Sequence, residues 1–169
     1  MKKNITQEEL KSLLHYEPVT GEFTWKVSRG KGKAGSFAGT PHSRGYVHIK
    51  ISGKLYLAHR LAFLFMTGEL PPAEVDHVNG VKTENRWLNL RQATRTENQC
   101  NHRLRSNNSS GVKGVSWDKR RGKWQARVCI HGRDKHIGYF HDIEEADVAV
   151  QAARIALHGE FVNHGNCKC

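Results

Sequence analysis

No stretch of the chain approaches the roughly 18 consecutive apolar residues that a membrane-spanning helix needs. The first residues, Met1-Lys2-Lys3-Asn4-Ile5, are basic. They run into Gln7-Glu8-Glu9-Leu10 rather than an apolar segment, so no secretory signal is expected. Cysteine is sparse: Cys100, Cys129, Cys167 and Cys169 stand without any paired CxxC spacing. That disfavours a structural zinc site and fits a reducing, cytoplasmic compartment. Cys167-Lys168-Cys169 reads as a frayed tail. Acidic residues are also few, 16 against 27 Lys+Arg, which leaves a formal net charge of +11. Apolar residues make up only 37%, so the cores must be small. At 169 residues the chain can form two small domains or one of ordinary size.

The positive charge is concentrated. Between Arg91 and Lys135 there are twelve basic residues and three acids, Glu97, Asp118 and Asp134. Such a run is often only a solvated face, but here Trp117 and Trp124 interrupt it, which favours a nucleic-acid partner.

Hydrophobic spacing predicts a short helix over 5–15, with Ile5, Leu10, Leu13 and Leu14 as its apolar positions. A turn over 16–21 leads to a strand over 22–27, and 29–39 reads as a mobile basic loop. Residues 45–58 alternate, with Val47, Ile49 and Ile51 on one face, and turn at Ser52-Gly53, which predicts a hairpin. A compact apolar helix over 59–66 follows, stopped by Gly68 and Pro71-Pro72. The polar segment 106–110 reads as a linker between a region 1–105 and a domain 111–163, with 164–169 as a tail. Past the linker, three strands are expected over 112–118, 123–131 and 135–141, then a helix over 143–158. That helix carries Ala146, Ala149, Ala153 and Ala156 as one stripe of small residues against a sheet. The expected fold class is α+β.

Chemistry is densest within 73–102. Ala73 to His77 reads as a strand that enters the turn Asn79-Gly80. Asn89 follows within Trp87-Leu88-Asn89-Leu90-Arg91. Asn98 falls near the start of a helix, because Thr94 and Glu97 have capping-box spacing. A side chain in that first turn leans toward the helix N-terminus and could face the end of the strand carrying Asp76 and His77.

The pieces His59-Arg60-Leu61-Ala62, Asp76-His77-x-Asn79-Gly80, Asn85-x-x-x-Asn89-Leu90-Arg91 and Glu97-Asn98 resemble the HNH nucleases of the phage and homing type over about residues 55–101. The resemblance implies two strands and a helix clasping one divalent ion, Mg2+ or Mn2+. It implies His77 as general base, Asp76 and Asn98 as metal ligands, and Asn89 as a brace for the loop that aims His77. His59 is assigned to packing or phosphate contact. Asn79 and Asn85 are read equally as turn residues or as functional ones.

Residues 111–163 resemble the Apetala-type DNA-binding domain of plant ethylene-response factors. Gly111-Val112-Lys113-Gly114-Val115, Gly122-Lys123-Trp124-x-Ala126, Ile137-Gly138-Tyr139-Phe140, Glu144-Glu145-Ala146 and His158-Gly159-Glu160-Phe161-x-Asn163 carry the likeness. It implies a three-stranded sheet on one helix. The sheet would enter the major groove of double-stranded DNA. Lys113, Ser116, Arg120, Lys123, Arg127 and His136 are the expected contacts, with Trp124 packed beneath. Ser116, Arg127, Cys129 and His136 depart from the plant pattern, which implies a different target. The expected function is a sequence-directed, metal-dependent endonuclease acting in a bacterial or phage-infected cell, with a monomer favoured. A DNA-binding regulator with a degenerate nuclease half and a restriction or defence nuclease are the alternatives.

Overall fold

The computed structural model describes residues 4–28, 32–101, 104, 107–130, 132–159 and 162, with the side chains of residues 99, 100 and 158 left out. The fold is mixed α/β, with small sheets and, among the described residues, four α-helices. The chain divides into two compact units, Met1–Gln92 and Ala93–Cys169. The expected linker 106–110 follows that division, inside the second unit. Residues 102, 103, 105, 106 and 131, Glu160, Phe161, Asn163 and the tail 164–169 lie outside the described residues, as do residues 1–3 and the 29–31 part of the basic loop.

Helix α1 (Gln7–Leu13) opens with a reciprocal capping box. Thr6 Oγ1 accepts from the Glu9 amide and the Glu9 carboxylate accepts from the Thr6 amide. It is shorter than the spacing predicts. Leu14 is already extended, at φ −128° and ψ 145°, and begins strand β1 (Leu14–Glu17). Leu10 and Leu14 thus both reach the core, one from a helix and the other from a strand. Strand β2 (Glu22–Trp25) pairs antiparallel with β1, Tyr16 opposite Phe23. Strands β3 (Thr40–Pro41), β4 (Val47–Ile51) and β5 (Lys54–Leu57) form a second sheet with β4 in the middle. The β4–β5 hairpin follows the alternation: Val47, Ile49 and Ile51 are buried. Helix α2 (Ala58–Thr67) starts without a break and buries Leu61, Ala62, Phe63 and Leu64. Gly68 ends it in the left-handed conformation, donating its amide to the Leu64 carbonyl.

Strand β6 (Glu74–His77) pairs with β7 (Leu90–Ala93), and a single 3-10 turn at Trp87–Asn89 precedes β7. The long connection between them is tied to the β1–β2 hairpin. The buried Tyr16 hydroxyl donates to the Asn85 carbonyl at 2.7 Å, and the Trp87 amide donates to the Pro18 carbonyl at 2.9 Å. Gly21, at φ +79°, lies so close that a Cβ there would meet the backbone of Asn85 and Arg86 at 2.3 Å.

In the second unit, helix α3 (Arg95–Cys100) has the expected capping box, Thr94 with Glu97. Strands β8 (Val115–Asp118), β9 (Lys123–Ile130) and β10 (Arg133–Phe140) make an antiparallel sheet with β9 central. Helix α4 (Ile143–His158) is capped by Asp142, whose carboxylate accepts from the Glu144 amide. Its packed face takes in only part of the alanine stripe. Ala146 and Val150 are fully buried with Val115, Ala126 and Val128, Ala153 packs partly against them, and Ala156 is exposed. The buried line bends from Ala146 through Val150 to Arg154, a step of four residues each time. Arg154 is buried yet satisfied, donating to the Lys113 carbonyl. Strand β10 carries a bulge: His136 pairs with Arg127 but Gly138 with Ala126, so Ile137 is extra.

Gly21→Ala should destabilise the first unit by more than the roughly 1–3 kcal/mol that a left-handed alanine alone costs, because its Cβ also strikes backbone that cannot swing aside. Gly53→Ala, at the same φ of +79° with no atom within 4 Å, isolates the conformational part. Urea unfolding of the two variants should give a clearly larger loss for Gly21→Ala.

Candidate active site

Asp76 and His77 stand at the end of β6, both with only 4% of their surface exposed. A buried carboxylate needs donors. Arg91, on the paired strand β7, supplies them, its Nε and Nη2 donating to Asp76 Oδ2 at 2.9 and 2.8 Å. Both strands are needed for this pair, which explains why nothing local in the sequence announces it.

The His77 ring is fixed from several sides. Its Nε2 lies 3.2 Å from Asn85 Oδ1. The Asn85 amide nitrogen donates in turn to the Thr83 carbonyl, which turns the oxygen toward His77. An amide oxygen only accepts, so the hydrogen sits on Nε2 and the neutral ring keeps Nδ1 as its basic nitrogen. The His59 ring stands edge-to-face on His77, centroids 5.1 Å apart at 87°, and Tyr46 lies 5.2 Å from His59 and 6.2 Å from His77. Lys82 closes over the Tyr46 ring at 4.6 Å and donates to the Arg44 carbonyl. Burial lowers the His77 pKa below the ordinary histidine value, with the Asn85 hydrogen bond and the Asp76 charge pulling the other way. Burial acts harder on His59, whose pKa falls to about 3. Both imidazoles are therefore neutral near pH 7.

Asn89 ties the loop after His77 to itself. Its Oδ1 accepts from the Asn79 amide at 3.0 Å and its Nδ2 donates to the Glu84 carbonyl at 2.7 Å. The Asn79 side chain folds back on the Val81 amide and Glu84, and the Asn89 carbonyl accepts from the Val78 amide. Asn98 lies in the first turns of α3, in the second unit.

Arg91, Tyr46 and Lys82 are not marked as site residues by the sequence. Arg91 belongs there only to a motif and to a basic run, and Tyr46 fits an ordinary strand. Asn85, read equally as a turn residue or a functional one, lies against the His77 ring.

The second unit presents a different surface. On the outer face of its sheet, Ser116 lies opposite Gln125, Gln125 opposite Tyr139, and Arg127 opposite His136. Gln125 Nε2 donates to the Tyr139 hydroxyl at 2.9 Å, Arg127 donates to Gln125 Oε1, and Asp134 stands 3.9 Å from Arg127. Arg121 lies 4.5 Å over the Tyr139 ring and pairs with Asp118. Lys123 flanks this group opposite Asp118. Lys113 and Arg120 are not on strands: β8 begins two residues after Lys113, and Arg120 sits in the β8–β9 turn, where its amide donates to Asp118. Trp124 faces the helix side and meets Trp117 at 5.0 Å.

The neutral burial of His59 links stability to pH. Its folded pKa, about 3, lies below the unfolded value, 6.5. The unfolded chain therefore takes up the proton first as pH falls. The stability that neutral His59 allows is fully present above pH 6.5 and lost as pH drops from there toward 3, by at most about 1.4 kcal/mol per pH unit for one group. Melting temperature should fall through this window, and His59→Phe should flatten the fall. An unchanged slope in that variant would contradict the linkage.

Residues 56–100 match the model of the HNH endonuclease family. The segment contains Asp76, His77, Asn85, Asn89, Arg91 and Asn98. The chain is also similar to Protein 3.8 of Escherichia phage T7, 34% identical over 87 residues, which cover 52% of this chain and 71% of the relative. With its buried Asp-His pair inside the matched segment, the chain carries a domain of the HNH endonuclease family over residues 56–100.

Proposed function

We propose that this protein is a divalent-metal-dependent DNA endonuclease of the phage and homing branch, with His77 as its general base. The observation that carries the reading is the buried Asp76-His77 pair, with the ring of His77 held by Asn85 so that Nδ1 is its basic nitrogen. The phage relative and the family match support a phage nuclease, and the homing type rests on the resemblance of the quoted motifs alone.

In this reading Nδ1 of His77 removes a proton from the attacking water. A neutral imidazole suits the task near pH 7. The Asn85 oxygen accepts from Nε2 throughout and steadies the ring as charge develops, while Asp76, next in the chain, offsets that charge. Arg91 holds the Asp76 carboxylate in one orientation. Asn89 keeps the loop after His77 closed on itself, so that β6 ends the same way each time. Asp76 offers a carboxylate oxygen and Asn98 an amide oxygen, hard donors that fit Mg2+ or Mn2+ with water and phosphate completing the shell. The part of Asn98 rests on the motif spacing. When bound, such an ion neutralises charge at the scissile phosphate and its leaving oxygen. Strands β6 and β7 followed by α3 would be the ββα element of the family.

The second unit is proposed as the DNA reader, an Apetala-type domain over 111–163. A three-stranded sheet backed by α4, with a basic and hydrogen-bonding outer face, supports this. Such a sheet fits the major groove. Ser116, Arg127 and His136 would lie toward base edges, and Lys113, Arg120 and Lys123 toward phosphates.

His77→Ala should slow cleavage of supercoiled plasmid by about 10²–10⁴ while leaving duplex binding intact. Asn85→Ala should cost less, about 10–100-fold. EDTA should abolish cleavage, and Mg2+ or Mn2+ should restore it. Full activity in His77→Ala would overturn the assignment. Open-circle plasmid should precede linear product, as expected of a monomer with one site.

Reading by the sheet makes a separate demand. Arg127→Ala should relax preference at one or two base pairs by about 1–3 kcal/mol. Lys123→Ala should weaken all sequences alike and reduce the salt dependence by about 0.9 on a log–log plot. Binding-site selection followed by salt titration distinguishes the two, and equal, uniform losses would argue against base readout.

A further inference from the structure

Among the described residues, one buried side-chain polar atom has no hydrogen-bond partner: Nδ1 of His59. The residue is 4% exposed, on the second position of α2, and its ring stands against both Tyr46 and His77. A buried polar atom left unpaired costs about 1–3 kcal/mol. Phenylalanine would fill the same space without that cost. Polar atoms of this kind are rare, and each calls for a physical reason. Here the reason lies in the neighbour, since the ring that packs on His59 is that of the proposed base.

We propose that His59 is a positioning residue of this site, whose Nδ1 takes up a hydrogen bond once a phosphodiester is bound and thereby fixes the ring of His77 against it. The inference rests on the nuclease reading above and adds a residue to it. The next residue, Arg60, supports the placement: its guanidinium donates to the carbonyls of Pro71 and Ala73 and so anchors this turn of α2 to the approach of β6. His59 is thus held relative to His77 through its covalent neighbour Arg60, while its own Nδ1 stays uncommitted. Because burial keeps the ring neutral, it can serve as donor or acceptor according to tautomer, and it brings no second positive charge beside His77.

The test uses the full chain with three substitutions. His59→Phe keeps a flat ring and removes both nitrogens. His59→Asn keeps a polar atom near Nδ1, and His59→Gln keeps one near Nε2. At pH 7, His59→Phe should melt at or above the wild-type temperature and yet cleave plasmid about 10–100-fold more slowly, mainly in kcat. His59→Asn should recover more of the rate than His59→Gln. In the wild type, nitrogen-15 spectra of the histidine rings, recorded with a DNA duplex and Ca2+ in place of the catalytic ion, should show the His59 Nδ1 signal shift on binding. Cleavage by His59→Phe within about twofold of wild type, or a His59 signal indifferent to the duplex, overturns the proposal. If His59→Phe does not fold, the order of the Asn and Gln variants decides, and equal rates overturn it. If the wild type itself does not cleave, the nuclease reading fails, and the ring signals alone then judge the role of His59.

Discussion

A carboxylate buried beside an imidazole cannot stay there without a counter-charge, and the first unit is arranged around that need. Asp76 is answered by Arg91 from the neighbouring strand, and the pair can form only when β6 and β7 lie side by side. Breaking such a pair by removing one partner leaves a buried charge alone, a larger penalty than the pair is worth in net stability. The strand pairing and the side-chain pairing therefore specify one another. The segment between the strands is long, and its polar groups are satisfied locally by Asn79, Glu84 and Asn89.

The same connection is anchored from outside. Tyr16 lies in the core beside Phe23, with only its hydroxyl directed at a polar atom, the Asn85 carbonyl. Burial, with the Glu17 charge beside it, pushes the Tyr16 phenol well above its ordinary range, so it remains a donor through neutral pH. Asn85 thus presents its backbone to the core and its side chain to His77. One of the holds on the His77 ring thus traces back to the N-terminal hairpin, many residues away in sequence.

Much of this was legible beforehand, and the parts that were not share a cause. The β4–β5 hairpin, α2 and α4 follow periodicities that one face of burial imposes, and a sequence displays them directly. The capping box at Thr94 and the stop at Gly68 are local chemistry, equally plain. Asp76, His77 and Asn89 stood out because the motif spaces them closely. Arg91 did not stand out as a partner, because only the pairing of β6 with β7 brings its guanidinium to Asp76. The sequence leaves His59 between packing and phosphate contact, because nothing in a sequence shows a nitrogen without a partner. Leu14 fits the apolar stripe of α1 and is still a strand residue, since both conformations deliver it to the same core. The alanine stripe of α4 holds at Ala146 and Ala153 but not at Ala156, for a related reason: small residues permit close approach, but the face is chosen by where the sheet offers volume, and Val150 fills it.

The bulge at Ile137 alters how β10 must be counted. Before it, odd and even positions alternate between the two faces; after it, the parity is inverted. His136 and Tyr139, three residues apart, consequently share the outer face, and Phe140 rather than Tyr139 stands opposite Trp124. An aligner that slides β10 of a relative by one position to close a gap would interchange its inner and outer residues without any visible clash in composition. Conversely, a relative that lacks one residue at this point would keep every later side chain opposite its present partner. The bulge is a phase shift written into the strand, and comparisons of the outer face between proteins hold only when both sides are read in the same phase.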